Sequence, residues 1–318
     1  MTPPAPTPCW QAGDARRGLS APGRVEDVDG SRRPLSAWAG GALGDEPQIH
    51  LLFSPGTEDM DSELTELITP HTGRITDVSP VAEGSDYSTT AVVTGQQGRV
   101  FLKAVPDRPG GVLAEVEREG QINPHLNGLA PPLLWQARRA GWFALGFEVI
   151  EGRAADFDPG SPDLPRVVQA LDQIAALPVP EVARSWVETR WDRALPGETV
   201  KVVRGNHLTH ADLHPRNILI DRNDRVWVVD WAWPTVASAL VAPTCLAVQL
   251  VSSGHDAAEV EKLLAASTLW GQLDLDALAV FARADAMMNR HYAKIRPTQE
   301  WRKALADAAQ RWADHWTA

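Results

Sequence analysis

The spacing of hydrophobic and polar positions changes along the chain and divides its 318 residues into three regions. Residues 1–59 show no apolar periodicity beyond a short IHLLF run, and their scattered Pro and Gly predict a largely disordered extension. From residue 75 to residue 150, short apolar runs are separated by turn-forming residues, a pattern that predicts strands. After residue 164 the apolar spacing is close to 3.6 residues, which predicts helices separated by Pro and Gly.

The strand region predicts a small antiparallel sheet with one helix inserted into it. A further helix is expected to start after Met60, because Asp61 or Ser62 can cap it, and we interpret Met60 or a site near it as the start of translation. The strands are expected at residues 75–81, 89–94, 99–105, 133–136 and 142–150, with the inserted helix at residues 111–122. The C-terminal helices are expected at residues 164–176, 180–195, 238–253, 257–269, 274–294 and 299–316.

The segment from Leu208 to Trp231, LTHADLHPRNILIDRNDRVWVVDW, joins a polar loop to two short apolar runs. β-Branched residues cluster at 218–220 and at 226–229, with charged turn-forming residues between them. A helix is a poor alternative, because Pro215 interrupts its start. The segment therefore predicts a β-hairpin preceded by a loop.

Three oxygen-bearing side chains are expected to meet at one end of this hairpin. Asp212 and Asn217 precede the first strand and Asp230 ends the second, so antiparallel pairing brings them together. A free carboxylate can accept a proton from an attacking hydroxyl, whereas an amide oxygen and a second carboxylate are ligands that Mg²⁺ takes alongside phosphates. The order H-x-D-L-x-x-x-N followed by a further Asp is the catalytic-loop order of eukaryotic-type kinases.

In detail, HADLHPRN followed by VVDW resembles the aminoglycoside phosphotransferase family, the antibiotic and small-molecule kinases that have a protein-kinase-like fold. The resemblance covers roughly residue 75 to the C-terminus and implies that Asp212 is the catalytic base and that Asn217 and Asp230 hold metal ions. One departure is clear. Family members commonly carry an acidic residue after the Asp-Trp pair that braces the catalytic loop, whereas this chain reads SALVAP at residues 238–243.

Lys103 lies inside an apolar strand and is the only lysine in the first 200 residues. A kinase needs an ammonium group there to neutralise the α- and β-phosphates, and a carboxylate to orient it. The following helix offers Glu115, Glu117 and Glu119, and comparison with the family favours Glu119. The alternatives are a solvated glutamate face and a lysine that extends its head group to solvent from an edge strand.

The resemblance also implies the remaining nucleotide contacts. The turn that would cover the ATP phosphates keeps only Gly84, so Ser85 and Ser88 are the candidates to offer hydroxyl and N–H groups, and an ordinary hairpin turn is the alternative. Backbone groups near Glu148 and Ile150 are expected to hydrogen-bond the adenine edge at the hinge between two lobes.

Two other chemical interpretations fit parts of this sequence. His210, Asp212 and His214 could supply three zinc ligands, but the outer two lie roughly 13 Å apart in an extended chain, so we expect His210 to be a buried support and His214 to shape the loop. Glu151, Asp156, Asp158 and Asp163 could form an acidic rim for a cationic substrate, but a charge run is more often a solvated loop, which we favour.

Composition limits the partners. The net charge of −11 opposes nucleic-acid binding, and the absence of a run of about 18 apolar residues or a signal-peptide pattern indicates neither membrane spanning nor secretion. Two cysteines in 318 residues argue against a disulfide framework and fit a reducing compartment. We therefore expect the cytoplasm.

These observations predict an α+β, two-lobed protein-kinase-like fold. After the extension of residues 1–59, we expect a nucleotide-binding lobe at residues 60–147, made of a small antiparallel sheet with one helix, and a larger, mainly helical catalytic and substrate-binding lobe at residues 148–318. The expected activity is transfer of phosphate from ATP, or alternatively GTP, with Mg²⁺, to a hydroxyl of a small molecule such as an aminoglycoside-like antibiotic or a metabolite. The missing brace leaves open a non-catalytic nucleotide-binding or regulatory module.

Overall fold

The computed structural model describes residues 60–81, 88–139 and 141–317. The predicted extension of residues 1–59 lies outside this part of the chain, and the start of translation near Met60 stays a prediction. The described residues form an antiparallel sheet region followed by a mainly helical region, which confirms the α+β, two-lobed organisation. We call these the N-terminal and C-terminal lobes, and the boundary between residues 147 and 148 stays a prediction.

Five strands form the sheet of the N-terminal lobe, in the order β1-β2-β3-β5-β4 with every neighbouring pair antiparallel. The helix expected after Met60 is present, so two helices rather than one accompany this sheet. Asp61 caps it by accepting hydrogen bonds from the backbone N–H groups of Glu63 and Leu64, at 2.8 and 3.0 Å. The elements are α1 (Ser62–Thr72), β1 (Ile75–Pro80), β2 (Thr89–Gly95), β3 (Gly98–Pro106), α2 (Gly111–Ile122), β4 (Leu133–Arg139) and β5 (Trp142–Glu148).

Strand β3 separates the two helices, because alternate side chains point to opposite faces of the sheet. Leu102 and Ala104 are fully buried in the cluster that includes α1. Val105 and Phe101 pack in the second cluster, together with Leu113 of α2. Lys103 lies between Phe101 and Val105 on β3, two residues from each. The alternation of side chains along the strand therefore directs Lys103 to the same face, the one that α2 covers.

The C-terminal lobe contains a three-stranded sheet of order β6-β8-β9, a two-stranded sheet of β7 and β10, and five helices in the described residues. Its core joins these helices to the hairpin β8–β9 through fully buried residues such as Leu171, Ile218, Leu246 and Trp312. The elements are β6 (Gly152–Ala154), α3 (Leu164–Ala175), β7 (His207–Thr209), β8 (Ile218–Asp221), β9 (Val226–Val228), β10 (Thr235–Ala237), α4 (Val241–Ser252), α5 (Ala257–Leu264), α6 (Leu275–Ile295) and α7 (Glu300–His315).

The helix predicted for residues 180–195 is wrong. This segment contains a 3₁₀ turn at Glu181–Ala183, an isolated bridge between Val187 and Val236 of β10, and hydrogen-bonded turns at residues 190–194. The Trp186 carbonyl accepts the Val236 N–H at 2.7 Å, and the Glu188 N–H donates to the Val236 carbonyl at 3.1 Å. Pairing with a distant strand therefore outweighs the local apolar spacing. The helix predicted for residues 257–269 is also shorter than expected and ends at Leu264.

None of the helices in the described part of the chain is both long enough and apolar enough to cross a membrane.

Candidate active site

The predicted hairpin is confirmed. Ile218 pairs with Val228 and Ile220 pairs with Val226. Beyond the strands, the Val229 N–H donates to the Asn217 carbonyl at 2.9 Å, which brings the end of the polar loop against the residue before Asp230. The hairpin register therefore determines that Asn217 and Asp230 lie at the same end.

His210 connects the two sides of this site. Its Nε2 lies 3.0 Å from the Val229 carbonyl oxygen and 3.1 Å from the Asp230 carbonyl oxygen. Both atoms are acceptors, so Nε2 carries the proton and Nδ1 accepts the Asp212 N–H at 3.3 Å. His210 is only 3% exposed, and burial lowers the pKa of its imidazole, which favours the neutral ring. The buried supporting histidine expected from the sequence is confirmed.

Asp230 has a left-handed backbone, with φ at 60°. This conformation is uncommon for any residue other than glycine, although Asp and Asn tolerate it better than most, and it persists only when its surroundings fix it. The two carbonyls that flank its φ and ψ angles, those of Val229 and Asp230, are the ones that His210 binds. A buried histidine therefore holds a strained aspartate in place.

Asn217 and Asp212 are joined through the loop backbone. Asn217 is 5% exposed, and its Nδ2 donates to the Asp212 carbonyl at 2.9 Å, which leaves Oδ1 as the oxygen available to a metal ion. In contrast, the Asp212 side chain is 62% exposed, and His214 Nε2 lies 3.8 Å from its Oδ2. The loop backbone is fixed while the carboxylate at its tip stays accessible.

Lys103 links this loop to the N-terminal lobe. Its Nζ lies 2.7 Å from Glu119 Oε2 and 2.6 Å from Asp230 Oδ1. Burial lowers the pKa of Lys103, but the charges of Asp230 and Glu119 outweigh burial and hold that pKa above its ordinary value, so the ammonium stays charged. The Lys103 ammonium in turn holds the pKa of Asp230 below its usual range.

Glu119 makes a second contact between the lobes, because its Oε1 accepts the Trp231 N–H at 3.2 Å. Burial raises the pKa of this carboxyl while Lys103 opposes the rise. Glu117 instead pairs with Arg138 at the surface of the same lobe. Of the candidate glutamates, the structure places Glu119 against Lys103.

The other predicted nucleotide contacts are more scattered. Ser85 lies outside the described residues, and Ser88 immediately precedes β2. Glu148 ends β5, and its N–H donates to the Pro132 carbonyl at 3.0 Å, so an adenine contact at this residue would use its carbonyl group. Ile150 is half-buried in the link between β5 and β6.

The acidic segment after the hinge divides into two parts. Asp156 and Asp158 are exposed, in agreement with a solvated loop. Asp163 is 1% exposed, and it accepts hydrogen bonds from Arg153 Nη2 at 2.8 Å and from the Asp156 N–H at 2.9 Å. Asp163 therefore stabilises the loop from inside.

A buried ion pair beside the catalytic loop was not expected from the sequence. Glu188 is 0% exposed and accepts two-pronged hydrogen bonds from Arg190 as well as the Thr235 hydroxyl at 2.7 Å. Burial raises the pKa of Glu188, but the Arg190 charge outweighs it and holds that pKa below its ordinary value. Thr235 belongs to β10, whose partner β7 leads directly into His210. The buried Glu188 carboxylate therefore stabilises β10 and, through it, the strand β7 that leads into the loop.

Asp285 of α6 is a further buried acid in this lobe. It accepts hydrogen bonds from Trp191 Nε1 at 2.9 Å and from Asn289 Nδ2 at 3.0 Å. Burial raises the pKa of Asp285 to about 6. Trp191 and Asp285 are 94 residues apart in sequence, and no local pattern marks such a pair.

The zinc alternative is not supported by the geometry. Both ring nitrogens of His210 are engaged by backbone groups, and the described residues contain no cluster of three or more His, Cys, Asp or Glu side chains suited to a metal ion. Asn217 Oδ1 and the Asp230 carboxylate fit Mg²⁺ instead, because this ion takes one or two protein oxygens and completes its shell with phosphate and water.

Neither a protein-family model nor a curated protein matches the chain. Solved structures do match its fold. Choline kinase LicA from Streptococcus pneumoniae superposes with a TM-score of 0.57 at 12% identity, over 79% of this chain and 98% of that one. The GDP complex of aminoglycoside 2'-phosphotransferase-IIIa gives 0.53 at 16% identity, over 80% and 99%. Spectinomycin phosphotransferase APH(9)-Ia, in complex with ADP and spectinomycin, gives 0.53 at 12% identity, over 79% and 93%.

These similarities cover nearly the whole of each known enzyme and both lobes of the described chain, while the sequence identities are low. Such a likeness is one of fold. The chain therefore has the protein-kinase-like fold of the small-molecule kinases, which the aminoglycoside phosphotransferases and choline kinase share.

Proposed function

We propose that this chain is a small-molecule kinase that transfers the terminal phosphate of ATP, or alternatively GTP, to a hydroxyl group with the help of Mg²⁺. One observation carries the proposal. The Lys103 ammonium lies within 2.7 Å of both Glu119 and Asp230, at the end of the hairpin where Asn217 and the exposed Asp212 also lie. This arrangement combines a phosphate-binding cation, two metal-ligand oxygens and a free carboxylate.

In the N-terminal lobe, we assign nucleotide binding to Lys103, which would neutralise the α- and β-phosphates and is oriented by Glu119. Ser85 and Ser88 would offer hydroxyl and N–H groups to the phosphates. The Glu148 carbonyl and the Ile150 backbone would hold the adenine edge.

In the C-terminal lobe, Asn217 and Asp230 would hold the metal. Mg²⁺, when bound, neutralises the charge on the phosphate oxygens. Asp212 would accept the proton of the acceptor hydroxyl, and its 62% exposure leaves it open to a substrate. Because the transition state of phosphoryl transfer is loose, most of the acceleration would come from positioning and charge neutralisation.

The class of the acceptor molecule is proposed from the known enzymes that share this fold. The structures that share this fold include enzymes named for aminoglycosides, spectinomycin and choline. We propose a hydroxylated small molecule as acceptor, and for an antibiotic acceptor the consequence would be resistance. Two cysteines in 318 residues fit a reducing compartment, which supports a cytoplasmic location.

Calorimetric titration of ATP and of GTP into the full chain, with and without Mg²⁺, tests this function. We expect Mg²⁺-dependent binding that Asp230→Ala abolishes, because this variant removes a metal ligand and one partner of Lys103. Asp158→Ala is the matched control, since it removes an exposed aspartate of the C-terminal lobe that belongs neither to the hairpin nor to its polar loop.

Absence of nucleotide binding to the wild-type chain would refute the kinase proposal. Binding without any phosphate transfer to hydroxylated antibiotics and metabolites, and without ATP hydrolysis, would favour the regulatory module. The missing acidic residue at 238–243 is the observation that keeps this second function in view.

A further inference from the structure

Arg118 of α2 reaches from the N-terminal lobe to two tryptophans of the C-terminal lobe. Its guanidinium carbon lies 4.5 Å from the ring centroid of Trp233 and 5.4 Å from that of Trp186. Both distances are within the range of a cation–π interaction, and Trp is the ring that gives the strongest one. All three side chains are half-buried, so water screens the contact only in part.

The two tryptophans come from segments that the site itself uses. Trp233 follows Asp230 by three residues. Trp186 precedes Glu188 by two residues, and its carbonyl accepts the Val236 N–H of β10. Arg118 therefore contacts two segments near the site. One follows Asp230, and the other is hydrogen-bonded to strand β10.

Arg118 stays a cation in this position. Burial lowers its pKa, and the carboxylate of Glu115 on the same helix opposes the decrease. The guanidinium is planar and only weakly hydrated, which suits it to lie against indole rings at an interface between lobes. Methionine has a similar volume without the charge, and lysine keeps the charge without the plane.

The position of Arg118 matters because its neighbour is Glu119. Glu119 must reach Lys103 on β3 and the Trp231 N–H in the C-terminal lobe at the same time. Both contacts depend on where α2 is seated. We propose that Arg118 is a positioning residue that clamps α2 to the C-terminal lobe through Trp186 and Trp233, and so keeps Glu119 in contact with Lys103; its effect on nucleotide binding rests on the proposed function.

Hydrogen–deuterium exchange of the α2 amides in the full chain tests the clamp without reference to activity. In Arg118→Met we expect exchange in α2 to rise roughly 3- to 30-fold, the range that loss of a cation–π contact gives. Arg118→Lys should lie between Met and wild type. Trp233→Leu should raise exchange in α2 as well, although it alters no residue of that helix.

Arg138→Met is the matched control. Arg138 also contacts α2, through Glu117, and its guanidinium carbon lies 4.6 Å from the Phe143 ring, but both partners belong to the N-terminal lobe. In Arg138→Met, the exchange rate of the α2 amides should change less than it does in Arg118→Met. Unchanged exchange in both Arg118→Met and Trp233→Leu, or an equal rise in Arg138→Met, would overturn the clamp.

Titration of Mg²⁺-ATP into the same variants separates the clamp from the proposed function. Where wild type binds the nucleotide, we expect Arg118→Met to lower its affinity by at most the factor of the rise in exchange, because affinity falls only as far as the seated position of α2 loses population, with partial rescue in Arg118→Lys. Where wild type does not bind it, the kinase proposal fails, while the exchange data still decide the clamp.

Discussion

Replacing Lys103 with methionine removes the cation that lies between two carboxylates. The two contacts have nearly equal lengths, 2.7 Å to Glu119 and 2.6 Å to Asp230, but their burial differs. The side chains of Lys103 and Glu119 are 12% and 8% exposed, whereas that of Asp230 is 48% exposed. Burial, and not distance, therefore decides which carboxylate is left as an uncompensated buried charge when Lys103 is removed.

Lys103→Met should lower the free energy of unfolding by about 3–5 kcal/mol at pH 8, because removing one partner of a buried ion pair leaves an uncompensated charge. Glu119→Gln should cost less than about 1 kcal/mol, because Lys103 keeps Asp230 and the amide oxygen can still accept the Trp231 N–H. The double variant should then be more stable than Lys103→Met alone, by about 2 kcal/mol.

The pH dependence has a definite sign. Burial already raises the pKa of Glu119 in the wild type, and loss of Lys103 raises it further. A carboxyl whose pKa is raised in the folded state contributes stability at low pH, and this contribution is lost as the pH rises. The loss of stability in Lys103→Met should therefore be smaller at pH 5 than at pH 8.

Urea unfolding of the wild type, both single variants and the double variant at these two pH values measures the coupling. Lys201→Met is the control, because its ion pair with Glu198 is 73% and 85% exposed, and it should cost less than about 0.5 kcal/mol. Additive effects of Lys103→Met and Glu119→Gln, or a defect of Lys103→Met below about 1 kcal/mol, would refute the reasoning from burial.

Two other substitutions separate chemistry from stability. Asp212→Ala should reduce turnover by on the order of 10² to 10⁴, the usual share of a general base, while nucleotide affinity measured by calorimetry stays nearly intact; equal turnover would refute the assignment. For Asp285, burial raises the pKa from 3.8 to about 6, so the wild type gains stability as the pH falls and loses it as the pH rises through that range. Between pH 7.5 and pH 5 it should gain about 1.4 kcal/mol more than Asp285→Asn in urea unfolding, and parallel curves would contradict the raised pKa.

Local signals in the sequence were sufficient for most elements that position the site. The predicted bounds of α2, residues 111–122, agree with the structure, because Gly110 precedes the helix and Asn123-Pro124 ends it. The hairpin that carries Asn217 and Asp230 was also predictable, since a charged turn separates two β-branched runs.

The contacts that depend on distant parts of the chain were not predictable in the same way. The segment of residues 180–195 has helical apolar spacing, yet Val187 bridges Val236 and the Glu188 carboxylate accepts from Thr235, 47 residues away. The Arg118 contacts with Trp186 and Trp233 are of the same kind, because nothing in the helix α2 itself indicates which rings it meets. Sequence periodicity reports burial, but it does not identify the partner.

The geometry of the reacting groups depends on backbone hydrogen bonds more than on side-chain packing. His210 Nε2 binds the carbonyls on both sides of the strained Asp230, and His210 Nδ1 accepts the Asp212 N–H. One neutral imidazole therefore positions both Asp230, the proposed metal ligand, and the backbone of Asp212, the proposed base. This arrangement needs only a short polar loop and the register of one hairpin. The Arg118 contacts lie outside that loop, so the proposed clamp and His210 act on different residues of the site, Glu119 in one case and Asp212 and Asp230 in the other.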